Sequence, residues 1–210
     1  MSYAVKELFL TLQGEGVQAG RRAVFVRFAG CNLWSGREAD RSTAVCRFCD
    51  TDFVGVDGDG GGRFADAGAL ADAVVQAWGA EMAQRYTVLT GGEPMLQIDA
   101  ALIAALHARG FEIGVESNGT IAAVPGIDWL CISPKVGSSV VQRSGHELKL
   151  VWPQPGSDVD AMERWAFDHF LVQPMDCADA DGARDAAIAF VMQRPKWRLT
   201  TQAHKMLGLR

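Results

Sequence analysis

The sequence predicts an α/β fold built on a mostly parallel sheet, and three observations predict it. Through the second part of the chain, short apolar runs that read as strands alternate with stretches of helical spacing, the pattern of successive βα units. Apolar residues make up 49% of the 210 positions and charged ones 21%, enough to bury a sizeable core. No internal repeat and no linker-like composition divides the chain, so residues 1–210 are expected to form a single domain.

The elements follow in order. Val5, Leu8, Leu10 and Leu12 give a period-two apolar pattern that stops at the Gln13-Gly14-Glu15-Gly16 turn. Ala23 to Phe28 reads as a buried strand carrying one charge, Arg27. From Gly30 to about Gly62 the chain is polar and glycine-rich, which predicts a long loop of the functional kind, ending in a flexible run from Asp57 to Gly62. Helical spacing runs from Asp66 to Arg85, and Tyr86 to Leu89 is a short strand. A helix is expected over Ile98 to Ala108, then strands at Ile113–Val115, Trp129–Ile132 and Glu147–Val151. A helix at Asp160–Trp165, a strand at His169–Val172, a helix at Asp179–Met192 and a strand-like run at Pro195–Leu199 complete the series.

Charge and composition exclude several classes. A formal charge of −5 and the absence of any Lys/Arg run argue against a nucleic-acid partner; the pair Arg21-Arg22 reads as a solvated turn. No apolar stretch approaches the roughly 18 residues a membrane span needs, and the N-terminal residues lack a signal-peptide core. A cytoplasmic protein with no membrane partner is expected. Five cysteines in a reducing compartment favour metal or cluster ligation over disulfides.

Three of those cysteines carry the strongest signal. Fourteen residues separate Cys31 from Cys46 and two separate Cys46 from Cys49. A Cys-x-x-Cys turn lets two thiolates converge on one centre, and a cubane held by three thiolates leaves one iron open to a chelating ligand. The alternative is a structural zinc completed by a distant histidine, although none of His107, His146, His169 and His204 sits at finger spacing. Cys131, inside an apolar strand, reads as an inert core thiol, and Cys177 is isolated. Two further features read from the residues alone. Arg27, if buried, needs a partner, either a structural carboxylate or a substrate carboxylate that its planar fork can hold in two bonds. Gly14-x-Gly16-x-x-Ala19 imitates a dinucleotide fingerprint, but a strand follows where a helix is required.

The cysteine trio resembles the radical S-adenosylmethionine motif with its first gap lengthened from three residues to fourteen, as in a subset of 7-carboxy-7-deazaguanine synthases. Other segments resemble the same family in the same order: Leu12 to Gly16, Phe25 to Trp34, Cys49-Asp50-Thr51, Thr90-Gly91-Gly92-Glu93-Pro94 and Glu116 to Thr120. Ser133-Pro134-Lys135, Gln173-Pro174-Met175-Asp176 and Gln202 to Lys205 complete the match. The resemblance implies an incomplete (β/α) barrel of the radical S-adenosylmethionine type, shortened, with a long cluster-binding loop. It implies a [4Fe–4S] cluster on Cys31, Cys46 and Cys49, S-adenosylmethionine, and Mg²⁺ at Thr51. Cofactor contacts fall on Phe48, Asp50, Gly91, Gly92, Ser133, Lys135, Gln173, Pro174, Met175 and Asp176. Substrate contacts fall on Leu12, Gln13, Gly14, Glu15, Arg27, Thr90 and His204. No side chain beyond the cluster and cofactor is assigned to catalysis. The α-carboxylate of Arg210 is a further expected acceptor for a pterin's guanidine-like edge, with Met206, Leu207 and Leu209 docking the tail.

The implied reaction converts 6-carboxy-5,6,7,8-tetrahydropterin to 7-carboxy-7-deazaguanine with loss of ammonia. A reductant such as flavodoxin and a homodimeric state are implied with it. The competing functions are an activase acting on a partner protein and a non-enzymatic zinc or iron–sulfur regulatory module.

Overall fold

The computed structural model describes residues 2–209. Nine strands form one open sheet in the order β3-β1-β2-β4-β5-β6-β7-β8-β9. β1 (Tyr3–Leu12) pairs antiparallel with both β2 (Arg22–Phe28) and β3 (Gly62–Phe64). From β2 onward every neighbour is parallel: β4 (Tyr86–Gly91), β5 (Glu112–Ser117), β6 (Trp129–Ile132), β7 (Ser144–Trp152), β8 (Ala166–Pro174) and β9 (Trp197–Leu199). The α/β class and the parallel sheet are as expected, and the run at Pro195–Leu199 does become a strand.

Helices α1 (Ala67–Trp78), α2 (Ala100–His107), α3 (Val159–Met162) and α4 (Ala180–Gln193) connect strands, and α5 (Ala203–Leu207) follows β9. The first four share one start signal: Asp66, Asp99, Asp158 and Asp179 each accept a hydrogen bond from the backbone N–H three residues on. The expected helix to Arg85 is too long. It stops at Gly79, whose φ of 90° a residue with a Cβ adopts only under strain, and Trp78 donates its indole N–H to the Glu81 carbonyl at 2.8 Å. The chain passes from β5 to β6 and from β6 to β7 without a helix, and Ile121, Ala123, Val124 and Ile127 of the first connection cover the apolar core in place of one.

Strand alternation sorts side chains onto two faces. Val24, Val26 and Phe28 of β2, Leu148 and Leu150 of β7, and Val172 of β8 join Leu70, Val74, Trp78, Leu102, Leu106 and Phe190 in one apolar core under the helices. The opposite face carries Phe25, Arg27, Thr90, Glu116, Lys149 and Gln173 into a cavity. The sheet curls around that cavity. The turn after β1 reaches the segment after β9, with Gly16 N–H donating to Thr200 Oγ1 at 2.8 Å and Ala203 N–H to the Gly14 carbonyl at 2.9 Å. These bonds bring distant parts of the sheet together without a continuous ladder, as an incomplete barrel requires.

Two expected loops prove to be tethered. Arg21 is not a solvated turn residue: it holds Glu112 through two bonds of 2.8 and 2.7 Å and stacks over Tyr86. Arg22 stacks over Trp78 and donates to its carbonyl at 2.5 Å. The glycine run is likewise bound to β1, with Gly58 N–H on the Lys6 carbonyl at 2.9 Å and Leu8 N–H on the Asp59 carbonyl at 2.8 Å, so it is an edge covering in place of a flexible connection. Among the described residues no helix is long and apolar enough to cross a membrane.

Candidate functional site

A cavity of about 500 Å³ occupies the inner face of the sheet. It is lined by every residue that the sequence assigns to cluster, cofactor, magnesium or substrate, with the exception of Arg210, which lies outside the described residues. Segments from Leu12 to Lys205 therefore meet in one place, and the placement alone does not say what each residue binds.

The three cysteines converge on this cavity, whereas Cys131 lies elsewhere in the sheet and Cys177 is exposed. All five are free thiols. The long gap does not separate Cys31 from Cys46, because its base is closed: the backbone N–H groups of Val45 and Cys46 both donate to the Leu33 carbonyl, at 3.1 and 3.3 Å. Cys49 accepts a hydrogen bond from Cys46, which pulls its thiol down to about 6 despite burial, and the same bond pushes Cys46 up. Burial pushes Cys31 up, against the N–H groups of Leu33 and Trp34. Among the described residues no three His, Cys, Asp or Glu side chains gather tightly enough to share one metal ion. Thiolates bound to different irons of a cubane need not come so close, and the donor set, three convergent thiols with one already disposed to ionise, suits a cluster.

Around the cysteines the backbone packs tightly. A Cβ on Gly92 would stand 2.2 Å from the Gly30 carbonyl and 2.8 Å from the Cys31 Cβ, so only glycine lets the turn after β4 touch the first ligand segment. Glu93 caps the 3₁₀ turn Pro94–Leu96 and is also a buried strut. It accepts from Met95 N–H at 2.9 Å, Ser117 Oγ at 2.8 Å and Asn118 N–H at 2.8 Å, tying the turn after β4 to the end of β5. Burial pushes its carboxyl above the usual range even so. Lys135 donates to the carbonyl and the hydroxyl of Ser133 at 2.7 Å each, and burial pulls its amine below the usual lysine value. Gln173 Oε1 is buried with no hydrogen-bond partner among the described residues, an orphaned acceptor on the cavity wall. At the mouth, Lys205 bridges Asp50, at 2.6 Å, and Asp176.

The floor of the cavity is a closed polar network. Gln13 Nε2 donates to Glu116 Oε1 at 2.8 Å, and Lys149 lies 3.5 Å from Glu116 Oε2 and in closer contact with Glu15. Gln202 Nε2 donates to Glu15 Oε1 at 3.0 Å. Burial alone would strip the charge from Lys149, but Glu116 and Glu15 hold its amine well above the usual value. Burial likewise works against ionised Glu15, and Lys149 overrides it. Arg27 gives Nε to Glu7 Oε1 at 2.7 Å, so its structural partner exists, while the residue still lines the cavity. His204 packs on Gly14, where an added Cβ would stand 2.3 Å from the imidazole Nδ1. Met206 and Leu207 do not dock as expected. They are 72% and 66% exposed, and α5 is held through Ala203, His204 and Lys205.

Sequence reasoning missed Lys149, Glu116 and Glu147, the last of which accepts from Val17 N–H at 2.9 Å and fixes the turn after Glu15. The signal was available. Lys149 stands between Leu148 and Leu150 in a strand that also carries Glu147, a pair of charges on alternate positions much like the single charge that singles out Arg27.

No family model matches the chain. A curated 7-carboxy-7-deazaguanine synthase of Bradyrhizobium diazoefficiens is 62% identical over 210 residues, covering the whole of both chains. Those of Caulobacter vibrioides and Bordetella pertussis are 58% and 57% identical over 209 residues, again over the full length of both. Among solved structures, QueE from Escherichia coli superposes with a TM-score of 0.69 at 23% identity, covering 97% of this chain and 95% of that one, which supports the incomplete-barrel fold. With identity of this extent along its whole length, the chain belongs to the 7-carboxy-7-deazaguanine synthase family of enzymes.

Proposed function

We propose that this chain is a radical S-adenosylmethionine enzyme that contracts 6-carboxy-5,6,7,8-tetrahydropterin to 7-carboxy-7-deazaguanine with loss of ammonia. The observation that carries the reading is the meeting of Cys31, Cys46 and Cys49, and no other cysteine, with Gln13, Glu15 and Arg27 around one cavity. Three thiols would hold a [4Fe–4S] cluster and leave an iron open. Cys31, Cys46 and Cys49 would hold the cluster so that S-adenosylmethionine bound at the open iron would supply, on one-electron reduction, radical chemistry for hydrogen removal at the pterin carbon bearing the carboxylate.

The chain's own residues position the reactants. The turn Thr90-Gly91-Gly92 packs its backbone against Phe28, Gly30 and Cys31 and so sets the cavity edge beside the cluster ligands, and Gln173 offers its orphaned carbonyl to an N–H or O–H of the cofactor. Phe48, Asp50, Ser133, Lys135, Pro174, Met175 and Asp176 line the same side and complete the cofactor wall. On the floor, the ionised Glu15 accepts the N–H pair of the pterin's guanidine-like edge, with Gln13 beside it. Arg27 holds the substrate carboxylate, with Leu12, Gly14, Thr90 and His204 bounding the ring. The Thr51 hydroxyl would hold Mg²⁺ together with substrate oxygens and waters. A single domain, a homodimeric and cytoplasmic state, and a flavodoxin-like reductant belong to the same proposal.

Anaerobic turnover with S-adenosylmethionine, dithionite and the carboxypterin, read by mass spectrometry, tests the reading. The expected result is a brown protein with about four irons per chain and a product lighter than the substrate by one ammonia. A colourless, zinc-loaded protein without turnover overturns it.

A further inference from the structure

The cluster-binding loop contains its own clamp. Between Leu33 and Val45 the chain leaves the cavity, turns through a short 3₁₀ helix at Glu38–Thr43, and returns. From that turn Arg41 reaches back to the ligand segment. Its Nη1 donates to the carbonyls of Arg47 at 3.1 Å and Cys49 at 3.0 Å, which flank Phe48 in the Cys-x-x-Cys turn. Its guanidinium lies 4.1 Å above the Trp34 ring, and its Nε is held by the Glu38 carboxylate at 2.8 and 2.9 Å. Trp34 is itself fixed: its indole N–H donates to the Arg37 carbonyl at 3.1 Å, and its ring packs edge-on against buried Phe53 at 5.5 Å.

We propose that Arg41 is a positioning residue that sets the backbone of the Cys46–Cys49 turn, so that the extra residues of the gap act as a built-in brace for the cluster ligands. This rests on the reading of Cys46 and Cys49 as cluster ligands. The physical case is the geometry of the guanidinium. A planar cation stacked on an indole, with its Nε held by Glu38, keeps Nη1 in one place, and the two N–H groups of Nη1 meet two carbonyls at once. Each bond is charge-assisted, and neither carbonyl belongs to a strand or helix that would otherwise order it. A lysine has the charge but neither the fork nor the flat stacking face. The carbonyl of Cys49 is one covalent step from the Cα that aims its thiolate, so loosening it moves a ligand without touching the core.

The test compares wild type with Arg41→Met, which keeps an apolar stem on Trp34, and Arg41→Lys. In metal-free protein, hydrogen exchange over residues 46–50 should quicken about tenfold in Arg41→Met, as expected for loss of charged hydrogen bonds, while the core strands exchange as in wild type. After anaerobic reconstitution, the half-life of the cluster absorbance under a ferrous chelator should fall about tenfold in the same variant. The electron paramagnetic resonance of the reduced cluster should broaden, and Arg41→Lys should recover only part of either property. A wild-type half-life and spectrum in Arg41→Met overturn the proposal, whatever the exchange shows. If wild type itself takes up no cluster, the cluster reading has failed; unchanged exchange in metal-free Arg41→Met would then overturn the brace as well.

Discussion

On the floor of the cavity, Gln13, Glu15, Glu116 and Lys149 are bonded to one another, whereas along its wall Gln173 keeps an unused acceptor and three cysteines remain free thiols. The floor draws its members from the turn after β1, the end of β5 and the middle of β7, and locks them by charge. The wall takes its cysteines from a loop whose backbone is braced and Gln173 from β8, and it leaves unbridged thiols and one unpartnered carbonyl facing the cavity. The difference shows two ways to prepare a site. Fixed charges, once desolvated, orient a substrate at little reorganisation cost, and a wall meant for a cofactor keeps donors and acceptors that the cofactor itself completes.

The comparison breaks most visibly at the wall. Replacing Cys31, Cys46 or Cys49 by Ala should abolish bound iron and cofactor cleavage, while Cys177→Ala should keep both. The floor depends on none of the three, so circular dichroism and urea unfolding of the metal-free cysteine variants should match wild type. A Cys46→Ala protein that retained a full cluster would remove the wall from the comparison.

The next effect falls on the floor. Lys149→Met leaves two half-buried carboxylates without their buried cation, and breaking the pair in this way should cost about 3 kcal/mol, the low end for a buried pair. Urea unfolding should show that loss with an unchanged slope, and iron content after reconstitution should persist wherever the variant remains folded. A loss below about 1 kcal/mol, the level of an exposed pair, would mean that the network is not closed to water.

Arg27→Lys should act more narrowly. Lysine can keep a bond to Glu7 but cannot hold a carboxylate with two parallel bonds. Pterin turnover should fall by about 2 kcal/mol in kcat/KM, with cofactor cleavage preserved. Equal loss of both would assign Arg27 to the fold alone.

How much of this was legible in the sequence follows the same division. The wall was readable because its chemistry is local: Cys46 and Cys49 sit in one turn, and Gly91-Gly92 follows a strand end where ligands gather. The floor was readable only in part, because Lys149 meets Glu15 across 134 positions and Gln13 meets Glu116 across 103. Pairs so distant are created by sheet order and curl, which periodicity does not encode. The same limit explains Arg21 and the Asp57–Gly62 run, whose composition reads as solvated loop and whose partners lie on other strands. The end of α1 failed for another reason. Apolar residues continue at helical spacing as far as Met82, but a left-handed glycine and the Trp78–Glu81 bond end the helix first.

The smallest effect is a pH dependence, and it separates charge from packing on the floor. Glu15 is pushed up by burial and brought below its ordinary value by Lys149, so its contribution to stability is present above the unfolded value of about 4.3 and is lost as pH falls through the lower folded value. Lys149 is pushed down by burial and held up by Glu116 and Glu15, so its contribution is present below about 10.4 and lost as pH rises through the higher folded value. Between about pH 5 and 9 the network's contribution should therefore be flat. In Lys149→Met the burial of Glu15 is no longer opposed by a lysine, its folded value rises above the unfolded one, and proton uptake then favours the folded state. Wild type loses stability on acidification just where the variant gains it. The gap between them, measured by urea unfolding of the metal-free proteins at pH 7 and pH 4, should narrow by about 1 kcal/mol. A gap that stays constant would assign the cost of Lys149→Met to lost packing, and the floor would then be held by shape, not by charge.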